Sequence, residues 1–336
     1  DNFGNHAYDM HDGIAPAATL YVQDVADGED LVGLEEDLAP LFDAAYAGGA
    51  RIHSNSWGDE DNTYGALARS VDEFVSEHRD FLVVAASGNL GTYGPNTVGS
   101  PATAKNLITV GAHSGMAIED VAYFSSQGPT ADGRIKPTLV APGISIVSAS
   151  HRNTCGTQSL SGTSMATPGL AGAAALVRQY FMDGYYPSGV ATPAQAFVPS
   201  AALIKAVMLV GADDMRGAGT QGRLPANGQG FGRLQLSDSL LFADDARRLW
   251  VEEESDGLET DEEVAFRITL RGNGSLHVAL TWFDAPASPG AAKILVNDLD
   301  LEVVGPKGTW LGNAPGRNGS KSAARPDNTN VEEVVH

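Results

Sequence analysis

The stretch "RIHSNSWGDEDNTYGALARSVDEFVSEHRDFLVVAASGN", residues 51–89, decides the fold. It opens on a short β-rich run, "RIHSNSW", and closes on another, "FLVVAAS". Between them "YGALARSVDEFVSEH" repeats apolar residues at helical spacing. Strand, helix, strand within so short a span is the pattern of a right-handed crossover between parallel strands.

The pattern extends on both sides. Upstream, "ATLYVQDV" reads as a strand and "LVGLEEDLAPLFDAAYAGG" as a helix closed by Gly48 and Gly49; downstream, "NLITVGA" reads as a further strand. The chain is therefore expected to be α/β, with a parallel sheet covered by helices on both faces. Ligands of such sheets sit beyond the carboxyl ends of the strands. Two segments fall there, "SNSWG" (Ser54–Gly58) and "ASGN" (Ala86–Asn89).

A third segment, "SLSGTSMATPGLAG" (Ser159–Gly172), concentrates small residues at the opening of an Ala-rich helix. Close helix packing accounts for the residues after Pro168. Gly162, Thr163 and Ser164 occupy the turn into the helix, where backbone N–H groups lack intrahelical acceptors and the dipole favours negative charge. A serine there is suited to acyl transfer, in which a carbonyl oxygen becomes an oxyanion. Pro168 fits a first helical turn.

After about Trp250 the texture changes. Val264, Phe266, Ile268 and Leu270, then Leu276, Val278, Leu280 and Trp282, alternate around "RGNGS", a hairpin signature. "KILVNDLDLEVVGPKGTW" repeats the alternation with a Gly-Pro turn, and "NTNVEEVVH" opens another strand. An antiparallel β domain is expected here, with the acidic run "VEEESDGLETDEE" as linker.

The 336 residues carry 42 acidic and 21 basic side chains, a net charge of −21. That balance argues against nucleic acid or an anionic membrane surface as partner. Apolar runs are short or broken, as Lys205 breaks "AALIKAVMLVGA", and none is long enough to span a bilayer. The single cysteine, Cys155, excludes an internal disulfide framework.

Taken together, "GIAPAATLYVQDV", "AGGARIHSNSWG", "AASGN", "SPATAKNLITVGA", "FSSQGPTADGRIKPTLVAPG", "LSGTSMATP" and "GQGFGRLQL" stand in the order found in the subtilisin-like serine proteases. "LTWFDAPA" and "LVNDLDL" resemble the β-barrel carried by a bacterial subgroup. The resemblance implies a subtilisin-like peptidase domain over residues 1–248 and a smaller antiparallel barrel or sandwich over 249–336. It implies a secreted, monomeric serine endopeptidase acting on protein or peptide substrates. Ser164 is then the nucleophile and the Asn89 amide an oxyanion donor. Substrate would pair with Ser54, Asn55, Ser56, Trp57 and Gly58 on one side and with Ala86, Ser87 and Gly88 on the other. It also implies a cis Ser100–Pro101 bond in a turn lining the substrate pocket.

One departure stands out. Subtilisin triads run Asp, His, Ser, yet His6, His11, His53, His78, His113 and His151 all lie outside the family's H-G-T-H setting. The expectation is that the catalytic histidine and aspartate precede Asp1 and that residues 1–336 alone are inactive. The competing reading is a noncatalytic extracellular binding module on the same scaffold. His6 and His11 could replace the base only if the fold brought one to Ser164. Asp298 and Asp300 flank Leu299 on one face of a strand, with Asn297 and Asp284 as companions, and suit Ca²⁺ as hard oxygen ligands. Asp1, Asn2, Asn5, Asp9 and Asp12 offer a second, weaker set.

Overall fold

A computed structural model describes residues 12–27, 30–31, 34, 36–115, 119–150, 156–270, 274–314 and 325–336. His6, His11, His151, Cys155 and the oxygen donors before Asp12 lie outside the described residues.

A two-residue antiparallel pair, β1 (Ala26–Asp27) and β2 (Asp30–Leu31), precedes helix α1 (Ala39–Ala47). Then follow β3 (Ile52–Asn55), α2 (Ala66–Glu77), β4 (Leu82–Ala86), β5 (Ile108–His113) and β6 (Leu139–Pro142). Strands β3, β4, β5 and β6 lie in that order in one parallel sheet, with Asn55 opposite Ala85 and Val110 opposite Leu139. An antiparallel pair, β7 (Ile146–Ala149) and β8 (Thr157–Leu160), leads into the long helix α3 (Thr163–Met182). Helices α4 (Ala201–Val210) and α5 (Leu236–Ser239) follow.

Strand alternation sorts the core into two layers. Leu82, Val84, Ile108, Val110 and Leu139 face α3 and α4, packing on Ala166, Leu170, Ala174, Val177 and Ile204. Val83 and Ala85 face the other way, onto Phe42 of α1 and Val71, Phe74 and Val75 of α2. Helices therefore cover both sheet faces, as the alternation of apolar segments requires. Small residues along α3 let it run close beneath all four strands.

Three expectations about elements change. The helix expected over "LVGLEEDLAPLFDAAYAGG" begins only at Ala39, because Pro40 stands in its first turn; proline there has no N–H to donate and would clash with the carbonyl four residues back. "ATLYVQDV" has no ladder until Ala26. Gln23 ties it to α1 and to β3: its Nε2–H donates to Leu41 O at 2.8 Å, and its Oε1 lies 3.0 Å from His53 Nε2. Pro168 falls inside α3, in its second turn.

The C-terminal part builds β9 (Val278–Thr281), β10 (Glu302–Gly305), β11 (Gly308–Leu311) and β12 (Glu332–Val335). The Gly-Pro turn joins β10 and β11 as expected. Val264–Leu270, by contrast, joins no ladder, and β9 pairs with β12, placing Glu332 opposite Thr281. The described strands form two-stranded sheets in place of a closed barrel. They rest on the α/β core: Thr281 Oγ1–H donates to Ala202 O at 2.7 Å, Val334 joins the α3 side, and Ala287 and Ile294 join the α2 side.

Candidate active site

Ser164 is the second residue of α3, half-buried, with Gly162 as the cap before it. Its Oγ–H donates to Ser56 O at 3.3 Å, while Ser56 Oγ–H donates to Ser164 O at 2.9 Å. Pro168 explains the second bond. Residue 168 would normally donate its N–H to the carbonyl of residue 164, and proline has none. The Ser164 carbonyl is thereby left to accept Ser56, which ties the helix start to the end of β3.

Asn89 lies four residues from Ala85, at the carboxyl end of β4. Gly88 turns the chain there with φ 104°, a conformation that side chains rarely adopt, and any Cβ would press on Ser126 Oγ at 2.8 Å. Asn89 Oδ1 accepts Thr163 N–H at 2.9 Å and Thr163 Oγ1–H at 3.0 Å. A backbone N–H can only donate, so the oxygen of the amide must face Thr163. The amide nitrogen is thereby turned toward Gly162, whose Cβ position lies 3.7 Å from it. The sequence placed Thr163 at the first helical turn, where an unpaired N–H is expected, but did not join it to Asn89.

The other sequence-derived residues divide into two groups. Ser54, Ser56 and Gly58 are exposed along the rim, with Trp57 half-buried beside them. Asn55 and Ser87 are buried. Asn55 Nδ2–H reaches Val84 O at 3.3 Å, a bond between β3 and β4, and Ser87 N–H donates to Val110 O at 2.9 Å. Both side chains are turned away from solvent, so only Ser54, Ser56, Trp57 and Gly58 of the first segment face outward. Ala86 closes β4, with Gly88 following. The Ser100–Pro101 bond is cis, as expected.

Among the described residues no histidine is hydrogen-bonded to Ser164. His53 sits among Phe42 and Phe81, and burial lowers its pKa to about 4. His78 stacks on Phe74, His113 is buried in β5, and His277 faces His336.

The expected cation site changes as well. Asp284 is fully buried and its carboxylate is committed: Oδ2 pairs with Lys105 Nζ at 2.5 Å and accepts Val296 N–H, and Oδ1 accepts Asn297 N–H and Nδ2–H. Asp284 and Asn297 therefore hold each other and leave no carboxylate for an ion. Asp298 lies 3.4 Å from Lys293 Nζ, and burial together with Asp298 and Asp327 raises the pKa of Asp300. No group of three or more His, Cys, Asp or Glu among the described residues is disposed to hold a metal ion. An ion at Asp298 and Asp300 would draw its remaining ligands from carbonyls and water.

A serine hydroxyl at a helix start, a side-chain amide oriented beside it and an exposed strand end meet at the carboxyl edge of a parallel sheet, and that combination has the form of a serine-hydrolase site. The Subtilase family model, Peptidase_S8, matches residues 2–232. The chain belongs to the subtilase family. It is 28% identical to the serine protease/ABC transporter B family protein tagD of Dictyostelium discoideum, over 90% of this chain and 24% of that protein. It is 37% identical to subtilisin BL of Lederbergia lenta, over 50% of this chain and 56% of that protein. Among solved structures, the prenylagaramide maturation protease PagA is similar with a TM-score of 0.50 at 25% identity, over 64% of this chain and 70% of that one. The chain thus spans about a quarter of the length of its Dictyostelium relative.

Proposed function

We propose that this chain is the nucleophile-bearing part of a secreted, monomeric serine endopeptidase. Ser164 Oγ attacks the scissile carbonyl carbon and loses its proton to a base. The carbonyl oxygen, now an oxyanion, takes hydrogen bonds from Asn89 Nδ2 and the Ser164 N–H. The C–N bond breaks, the amine leaves with the proton, and water releases the acyl group from Ser164. Substrate backbone runs along Ser54–Gly58 and Ala86–Gly88.

The observation that carries this reading is the double hydrogen bond from Thr163 to Asn89 Oδ1. It fixes the amide nitrogen toward the start of α3 before substrate arrives, and such preorganisation is where most electrostatic stabilisation of a transition state comes from. The base and its carboxylate are assigned to sequence upstream of Asp1, so residues 1–336 alone turn over poorly. Ca²⁺ at Asp298 and Asp300 and a C-terminal domain from residue 249 belong to the same proposal.

The test compares residues 1–336 with a form extended upstream, using a fluorophosphonate probe and a chromogenic peptide. Labelling and turnover in the extended form, abolished by Ser164→Ala, are expected. Peptide binding without labelling in either form would favour the noncatalytic module. Equal turnover in both would place the base within residues 1–336.

A further inference from the structure

Lys105 is fully buried, and its ammonium lies 6.0 Å from the centroid of the Tyr64 ring, while its hydrogen bonds lead away from the peptidase part. Among the described residues, all three acceptors of Nζ come from the C-terminal part: Asp284 Oδ2 at 2.5 Å, Ala285 O at 2.5 Å and Ile294 O at 3.0 Å. The next residue repeats the connection. Asn106 Nδ2–H donates to Asp284 O at 2.8 Å, and Asp284 N–H donates to Asn106 Oδ1 at 3.0 Å.

Lys105 and Asn106 end the loop that begins at Gly99, and the start of that loop lies between the two rims of the cleft. Gly99 N–H donates to Ser87 O at 3.3 Å. Ser100 exchanges two bonds with Asp59: Asp59 N–H to Ser100 O at 2.8 Å, and Ser100 N–H to Asp59 Oδ1 at 3.0 Å. A Cβ on Gly58 would sit 2.7 Å from Ser100 O, so the loop is in direct contact with the outer rim. One end of the loop spaces the rims while the other is bolted to residues 284–294.

We propose that Asp284 is a positioning residue for the substrate pocket, holding the 99–106 loop through Lys105 and Asn106 so that the C-terminal part sets the depth of the pocket between Ser54–Gly58 and Ala86–Gly88. This rests on the serine-peptidase reading. A buried charge that loses its partner is destabilising, whereas replacing both charges by apolar residues is often tolerated. The loop is therefore expected to loosen in Asp284→Asn, and the fold to survive in Lys105→Met with Asp284→Leu.

The experiment uses the full-length protein with three serine probes: an armless fluorophosphonate and two tetrapeptide diphenyl phosphonates, one ending in Phe and one in Ala. Asp284→Asn is expected to slow labelling by the Phe probe about tenfold relative to the Ala probe, within the range that pocket contacts command. The armless probe should label at the wild-type rate. Lys105→Met with Asp284→Leu should show the same altered ratio, with a lowered melting temperature because Leu also strands the Val296 and Asn297 N–H groups. A Phe-to-Ala ratio unchanged in both variants overturns the proposal and leaves the hydrolase intact. If no probe labels even the wild type, the hydrolase reading has failed, and amide exchange of residues 99–106 decides instead. About tenfold faster exchange in Asp284→Asn supports the brace, and unchanged exchange removes it.

Discussion

Replacing Lys136 with methionine is expected to stabilise this protein at neutral pH and to flatten its stability between pH 7 and 10.5. Lys136 is 1% exposed and its Nζ has no hydrogen-bond partner among the described residues. Burial, the largest cause, lowers its pKa from 10.5 to about 7; Glu332 and Asp72 oppose that shift, and Lys205 and Arg134 reinforce it. The unfolded chain thus holds this proton up to pH 10.5 while the folded chain has released it above pH 7. Where the unfolded state binds more protons, stability rises with pH, here by about 1.4 kcal/mol per pH unit. From pH 7.5 to 9.5 the wild type gains roughly 2–3 kcal/mol from this one group. Methionine fills similar volume without a charge to desolvate. The variant should therefore be more stable at pH 7 by about 2–4 kcal/mol, the usual scale for relieving an unpaired buried charge. Urea unfolding at half-unit pH intervals measures both. Glu333, whose pKa burial raises to about 8, opposes this slope as pH rises through that value. The difference between wild type and variant cancels it. An identical pH slope in both proteins, or a variant less stable at pH 7, would refute the reasoning.

Asn89→Ala should lower kcat in the extended form by about 10²–10³, the loss measured for the equivalent donor in a subtilisin, with little change in KM. Gly99→Ala should cost more than about 3 kcal/mol, read from the urea midpoint, because its Cβ would collide with Asp59 O. A coincidence of thermal melts in Ca²⁺ and in chelator would remove the ion from Asp298 and Asp300; a rise of melting temperature with Ca²⁺ concentration is expected. Acid should erode stability between pH 6.5 and 4, because His53 is held neutral by burial down to about 4 and the unfolded chain binds its proton first. His53→Phe should remove part of that loss in the same titration.

A parallel sheet with helices on its two faces was legible in the sequence because it follows from local periodicity, whereas the strand order comes from the tertiary structure. Leu82, Val83, Val84 and Ala85 are apolar on both faces, and α2 keeps its stripe of Val71, Phe74 and Val75. The place of Ser164 was legible too, since a helix start has the same unpaired N–H groups in any context. What the sequence left open depends on partners distant along the chain. Thr163 orients Asn89 across 74 residues, and Pro168 matters because the carbonyl it fails to bond meets Ser56 from 108 residues away. Asp284 has the composition of a cation ligand, yet it meets Lys105 across 179 residues and becomes half of a buried ion pair. A carboxylate's role is set by the charge that shares its desolvated site, and only the tertiary structure decides which charge that is.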